Sequence, residues 1–273
     1  MDGTLTFSGS TFLGYSVTGI VCCLLPVIVF LWLRRYRAAG LFPLIAGIIM
    51  YFLSNRVCDI SLGILLASAP PEQKAAAAME CIGLFEELGR YLAMKCPLSD
   101  IRKSGAAVCY AVGHAGLESL TRGMQTFRII GWGKTLNSDG IAHFLRDKSP
   151  ERAAEITRQL TGYAESGLLV NLMDALNAAV NFGVHIALSL LIYKKCFVTD
   201  FRKRWLVLAI GLHIGLNELY GLSSLAGEPV FTKLTGIFCG TAVILLVYRL
   251  VDGKTILEEL KDGSAEDAKQ LEQ

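Results

Sequence analysis

Apolar residues in this chain gather into seven blocks, near 11–33, 41–67, 76–96, 104–121, 168–193, 205–223 and 231–250, separated by short polar stretches. A block of about 20 residues is what an α-helix needs to cross the roughly 30 Å hydrocarbon layer of a bilayer. The short alternating segments of a membrane β-barrel do not occur. The pattern predicts an all-α fold, a polytopic transmembrane helical bundle of about seven spans.

The basic residues give this bundle a direction. Arg34, Arg35 and Arg37 follow the first span, Lys95, Arg102 and Lys103 the third, and Lys194, Lys195, Arg202, Lys203 and Arg204 the fifth, alternating with nearly uncharged loops. Basic loops face the cytoplasm, so the N-terminus is expected outside and the C-terminus inside. The connection 122–167 carries seven basic residues on the expected outer side, a conflict that its length and its Asp and Glu residues soften. The expected organisation is one membrane domain over 1–251, with 122–167 as an extracytoplasmic segment, and a short cytoplasmic tail over 252–273, read as an exposed helix or a frayed end. Within the outer segment, Ser149 before Pro150 reads as an N-cap and first helical residue, and Glu155 with Arg158 as a pair along the next turn.

Composition adds to this picture without changing it. Hydrophobic residues make up 53% and charged residues 18% of the 273, with a mean hydropathy of +0.47, the balance of an integral membrane protein. Met1 to Ser10 has no basic n-region, so the first span is expected to stay as a helix and not to be cleaved. The net charge of +2 is explained by topology and gives no support for nucleic-acid binding. Eight scattered cysteines without a CxxC pair read as small packing residues. Gly211xxxGly215 and Gly236xxxGly240 mark faces where backbones can approach.

The polar positions inside the spans carry the chemistry. A charged side chain at the centre of a bilayer helix costs about 2.5–3.5 kcal/mol even on insertion scales, so such residues mark function or tight pairing. The third span holds Glu86 and Glu87 with Arg90 four and three residues on, the fourth His114 and Glu118, the sixth His213 and Asn217. Each set shares a helix face. The fifth span bears a polar stripe of Asn171, Asp174, Asn177, Asn181 and His185. With the orientation above, Glu86, Glu87, His114, His185 and His213 all fall near mid-bilayer, as expected of an enclosed reaction centre. More ordinary readings fit other positions: Arg56 with Asp59 as a self-neutralising pair, His143 as a surface residue, and His185, taken singly, as an interhelical hydrogen bond. HExxH, GxSxG and GxGD patterns are missing from the sequence, which removes the usual zincin, serine-elbow and aspartyl arrangements.

Phe85-Glu86-Glu87-Leu88-Gly89-Arg90, Gly113-His114-Ala115-Gly116-Leu117-Glu118 and His213-Ile214-Gly215-Leu216-Asn217 resemble the motifs of the YhfC family of intramembrane peptidases. More distantly they are similar to the CAAX prenyl protease and bacteriocin-processing (CPBP) group and to PrsW-type proteases. Against the CPBP pattern, Arg90 follows the acidic pair after two residues instead of three, Tyr110xxxHis114 has tyrosine in the aromatic position, and His185 and Glu118 are extra. The resemblance implies an intramembrane endopeptidase in a bacterial plasma membrane, acting on a membrane-protein or lipidated-peptide substrate. It implies Glu86 as general base beside Glu87, with Arg90 holding the carboxylates, His114 orienting water, and His213 and Asn217 donating to the oxyanion.

A metal version remains open, with zinc on His114, His185 and His213 and a carboxylate as base. The metal-free glutamate mechanism is preferred at this point, since His185 has no place in the wider motif and no helix offers two histidines at ligand spacing. Two other classes compete: a transporter or proton-coupled carrier, suggested by the Asn171 to His185 stripe with Arg56 and Asp59, and a non-catalytic immunity or receptor membrane protein.

Overall fold

The computed structural model describes residues 5–35, 40–99 and 103–261. Arg37, Arg102 and the tail beyond 261 lie outside them. The described residues are helical with no strand: α1 (Gly9–Arg35), α2 (Leu41–Leu65), α3 (Pro71–Lys95), α4 (Ser104–Asp139), α5 (Ile141–Leu145), α6 (Pro150–Glu165), α7 (Leu168–Ile192), α8 (Arg204–Ser224) and α9 (Pro229–Leu250). A π-helical turn, Tyr193–Val198, extends α7. Five helices are long and apolar enough to cross a membrane: α1, α2, α7 with its π turn, α8 and α9. Between them, α3 and α4, which carry Glu86, Glu87, Arg90, His114 and Glu118, are less apolar.

The helices pack as a ring. α4 lies against α1, α2 and α7; α2 joins α4 to α3; α8 joins α3 to α9; and α9 closes onto α7. Small residues make the tightest crossing. A Cβ on Gly47 of α2 would run into the Tyr110 carbonyl oxygen of α4, and a Cβ on Gly113 of α4 into the Leu44 carbonyl oxygen of α2. Reciprocal glycines let two backbones touch, which brings His114 down onto α2. Of the two expected glycine pairs, Gly236 and Gly240 do face close neighbours, Asn177 and Val180 of α7, whereas Gly211 and Gly215 have nothing within 4 Å of an added Cβ. A shared face does not bring a partner helix to it.

α4 runs on for 36 residues, about 54 Å at 1.5 Å per residue, past the end expected for the fourth span. Its distal half and the start of α1 meet in a second apolar cluster of Phe7, Tyr15, Ile129, Leu136 and Leu160, over which α6 packs. Asn137 clasps the chain before α1, accepting from the Phe7 N–H at 2.7 Å and donating to the Phe7 carbonyl at 2.9 Å. Ser149 caps α6 by accepting from the Arg152 N–H, and Glu155 pairs with Arg158.

The start of the tail corrects its expected exposure. Asp252 takes a left-handed φ of 54°, and a helix over 253–261 follows with Ile256 and Leu260 buried. Glu259 accepts from Lys194 at 2.8 Å and from Ser104. Burial raises its carboxyl, but these two donors outweigh burial and hold it below the ordinary carboxylate range.

Candidate metal and catalytic centre

Four helices deliver their side chains to one point. Glu86 Oε2 lies 3.2 Å from His114 Nε2, 3.8 Å from His185 Nδ1 and 4.0 Å from His213 Nε2. α3 supplies the carboxylate, and α4, α7 and α8 one imidazole each. The His114 and His185 rings are 5.5 Å apart by centroid, those of His185 and His213 5.2 Å.

Two further carboxylates flank this point in different ways. Glu87, one residue from Glu86 and so turned by about 100°, accepts from His213 Nδ1–H at 2.8 Å and from the Arg90 guanidinium. Glu118 accepts from His185 Nε2–H at 2.9 Å and from Asn181 Nδ2 at 2.9 Å, with Arg122 4.0 Å away. Arg90, 0% exposed, uses its other arm to donate to His185 Nδ1 at 2.8 Å. Each of these two imidazoles thus has one nitrogen turned to a carboxylate and the other turned to Glu86, the arrangement by which an outer carboxylate fixes the tautomer of a metal-binding histidine. Among the described residues His114 Nδ1 has no hydrogen-bond partner, although it is buried.

The donor set suits a divalent cation. One atom each from Glu86, His114 and His185 lie within 4.8 Å of one another. The two separations from Glu86, 3.2 Å to His114 and 3.8 Å to His185, compare with the roughly 3.3 Å edge of a tetrahedron with 2.0–2.1 Å bonds, so the side chains would have to draw in to close around zinc. Glu86, Glu87 and Glu118 also outnumber the arginines Arg90 and Arg122, an excess of negative charge that a divalent cation offsets. One contact opposes this, because Arg90 occupies the His185 nitrogen that a metal would take.

The expected site residues are mostly gathered here. Glu86, Glu87, Arg90, His114, Glu118, His185 and His213 meet, and Tyr110 lies buried beside His114 with ring centroids 6.0 Å apart. Asn217 faces the cavity, but its amide donates to the Met79 carbonyl at 2.9 Å, tying α8 to α3. His143 stays outside, on α5 near Asp139. Arg56 and Asp59 do pair, at 2.9 Å, but are 57% and 58% exposed, so they are not the buried charges invoked for a carrier. Two α2 residues were missed: Asn55, whose amide approaches Glu86 Oε1 at 3.5 Å, and Tyr51, edge-on to His114 at 5.3 Å. Polar Asn55 one turn after Tyr51 in an apolar run was the available signal.

A cavity of about 510 Å³ leads away from Glu86, His185 and His213 between α3, α4, α7, α8 and α9, reaching Tyr15 of α1 and Tyr163 of α6 at its far end. A family model described as the YhfC intramembrane metalloprotease matches residues 21–228. The chain belongs to the YhfC family. Every residue of the centre lies inside the matched range. The chain is also similar to the uncharacterized membrane protein YhfC of Bacillus subtilis (strain 168), 24% identical over 213 residues, covering 74% of this chain and 81% of the relative. No solved structure matches. Membership of a family described as metalloproteases weighs toward the metal alternative, and the buried Glu86, His114 and His185 group allows zinc.

Proposed function

We propose that this YhfC-family chain is a metal-assisted intramembrane endopeptidase that hydrolyses a membrane-embedded or membrane-associated peptide. The observation that carries the reading is the convergence of three imidazoles from three helices on one carboxylate oxygen, beside a cavity of about 510 Å³. In this reading α3 and α4 span the membrane with the five more apolar helices, making seven spans, with the N-terminus outside and the C-terminus in the cytoplasm of a bacterial cell. Glu86, His114 and His185 would hold zinc, which would supply Lewis-acid polarisation of the scissile carbonyl and of the attacking water.

The protein's own residues supply the proton chemistry. With its proton held on Nδ1 by Glu87, His213 presents Nε2 as an acceptor 4.0 Å from Glu86 Oε2. It takes the proton of the attacking water and returns it to the leaving amine, while Glu87 stabilises the imidazolium between those steps. Arg90 fixes Glu87, and Glu118 fixes His185. This reading moves the base from Glu86 to His213. Zinc content of the purified variants tests it: Glu86→Gln and His114→Ala lose metal and cleavage together, whereas His213→Ala keeps metal and loses cleavage. Retained cleavage in Glu86→Gln and His114→Ala rejects the peptidase reading. Zinc lost in His213→Ala but kept in Glu86→Gln returns the site to three histidine ligands with Glu86 as base.

The hydrogen bond from Arg90 to His185 Nδ1 favours a second, metal-free reading, in which Glu86 activates water directly. Its signature is cleavage that survives exhaustive treatment with 1,10-phenanthroline.

A further inference from the structure

The cavity wall on α7 is an unusual surface for a bilayer-embedded helix. Asn171, Asp174, Asn177, Asn181 and His185 line it at successive turns, a run of about 21 Å at 1.5 Å per residue. Its charges are matched internally: Asp174 pairs with Lys233 of α9 at 2.7 Å, and Glu118 lies 4.0 Å from Arg122. What remains to meet a ligand is neutral amide. Among the described residues Asn177 and Gln125, both lining the cavity, make no side-chain hydrogen bond. Asn181 commits its Nδ2 to Glu118 and Asn217 its Nδ2 to Met79, so each keeps a carbonyl oxygen. Room for Asn177 is made by α9, where a Cβ on Gly236 would lie 2.6 Å from Asn177 Oδ1.

A primary amide offers one acceptor and a donor pair, the complement of a peptide group. Apolar Ile82, Val180, Val184 and Leu216 fill the wall between the amides. The bore sets the conformation of what enters. About 510 Å³ shared along about 21 Å leaves a mean open section of about 24 Å². Even with a water radius of about 1.4 Å added all round, that is a channel about 8 Å wide, narrower than the 10–12 Å of an α-helix with its side chains. An extended chain rises about 3.3 Å per residue, so roughly six residues span the run.

We propose that this face of α7, centred on Asn177 and completed by Gln125, Asn181 and Asn217, is a main-chain track that holds about six residues of substrate in extended form beside the Glu86 centre. The inference rests on the peptidase reading and gives it a substrate class: unwound polypeptide selected by its backbone amides, with little demand on side chains and none for a charged terminus. Neutral rungs between paired charges suit an internal segment.

The test uses the full chain in detergent and a fluorescein-labelled (Gly-Ser-Leu)4 peptide, read by anisotropy, beside the same peptide N-methylated at alternate residues. The unmodified peptide is expected to bind, the methylated one at least about tenfold more weakly. Asn177→Ala is expected to raise Kd about fivefold, Asn177→Gln to recover part of the loss, and Leu176→Ala, on the exposed side of α7, to leave Kd unchanged. Equal binding of the two peptides, no binding of the unmodified one, or an Asn177→Ala Kd equal to that of the unaltered protein overturns the track. Cleavage separates the two claims: methylation-sensitive binding without turnover keeps the track and removes the peptidase, while turnover with methylation-insensitive binding does the reverse.

Discussion

At the scale of single residues, the centre is held together because its ionisable groups have committed partners. Arg90 is the clearest case, a guanidinium with no exposure that serves Glu87 and His185 at once. Removing one member of a buried charge pair strands the other, at a cost of about 3–5 kcal/mol. Arg90→Ala is therefore expected to lower the thermal midpoint in detergent sharply, and Arg90→Lys to restore it only in part, since an ammonium cannot reproduce the two-armed geometry. Glu118→Gln weakens the acceptor for His185 Nε2–H and should cost about 10–100-fold in zinc affinity, measured by chelator competition, with little change in thermal midpoint. Much of this was legible in the sequence. Intervals of three and four left either Glu87 or Glu86 able to reach Arg90, and it is Glu87 that does; the charges and imidazoles placed within the spans are the groups that meet at the centre. Spacing was silent on partners across helices: Glu118 shares a face with His114 yet bonds to His185 of α7, because helix packing decides which neighbour lies within reach.

Among the elements, helix existence was readable from apolar runs, and close approach was not. The α2–α4 crossing depends on Gly47 and Gly113, which no paired spacing announces because they lie on different helices. Gly113→Ala is expected to push Leu44 away and destabilise the protein by about 1–3 kcal/mol, with loss of zinc as His114 shifts off Glu86; thermal unfolding and metal content check both parts. The docked terminal helix was also hidden, since its partners Lys194 and Ser104 lie far off in the chain. Glu259 has a depressed carboxyl, so its contribution is present above its unfolded pKa of about 4.3 and is lost as pH falls through its lower folded value. Hydrogen exchange in 253–261 should accelerate, relative to the rest of the bundle, only on acidification below about pH 4.3, and Glu259→Gln should already be fast at pH 7.

For the whole molecule, the proposed arrangement in the membrane follows from where the basic loops fall. Cys96, at the end of α3, is exposed, while Cys22, Cys58, Cys109 and Cys196 are buried. In the proposed orientation a membrane-impermeant maleimide labels Cys96 in inverted vesicles and not in intact cells; the reverse pattern inverts the topology. In the proposed seven-span arrangement α4, about 54 Å long, outruns a hydrocarbon layer of about 30 Å, and its tip carries α5 and α6 beside the cavity. In the proposed peptidase reading such an overhang would act as a size filter: a substrate whose folded ectodomain sits hard against the bilayer would collide with it, whereas one tethered by a slack juxtamembrane stretch would slip beneath, so bulk close to the membrane surface, as much as local sequence, would separate what is cut from what is spared.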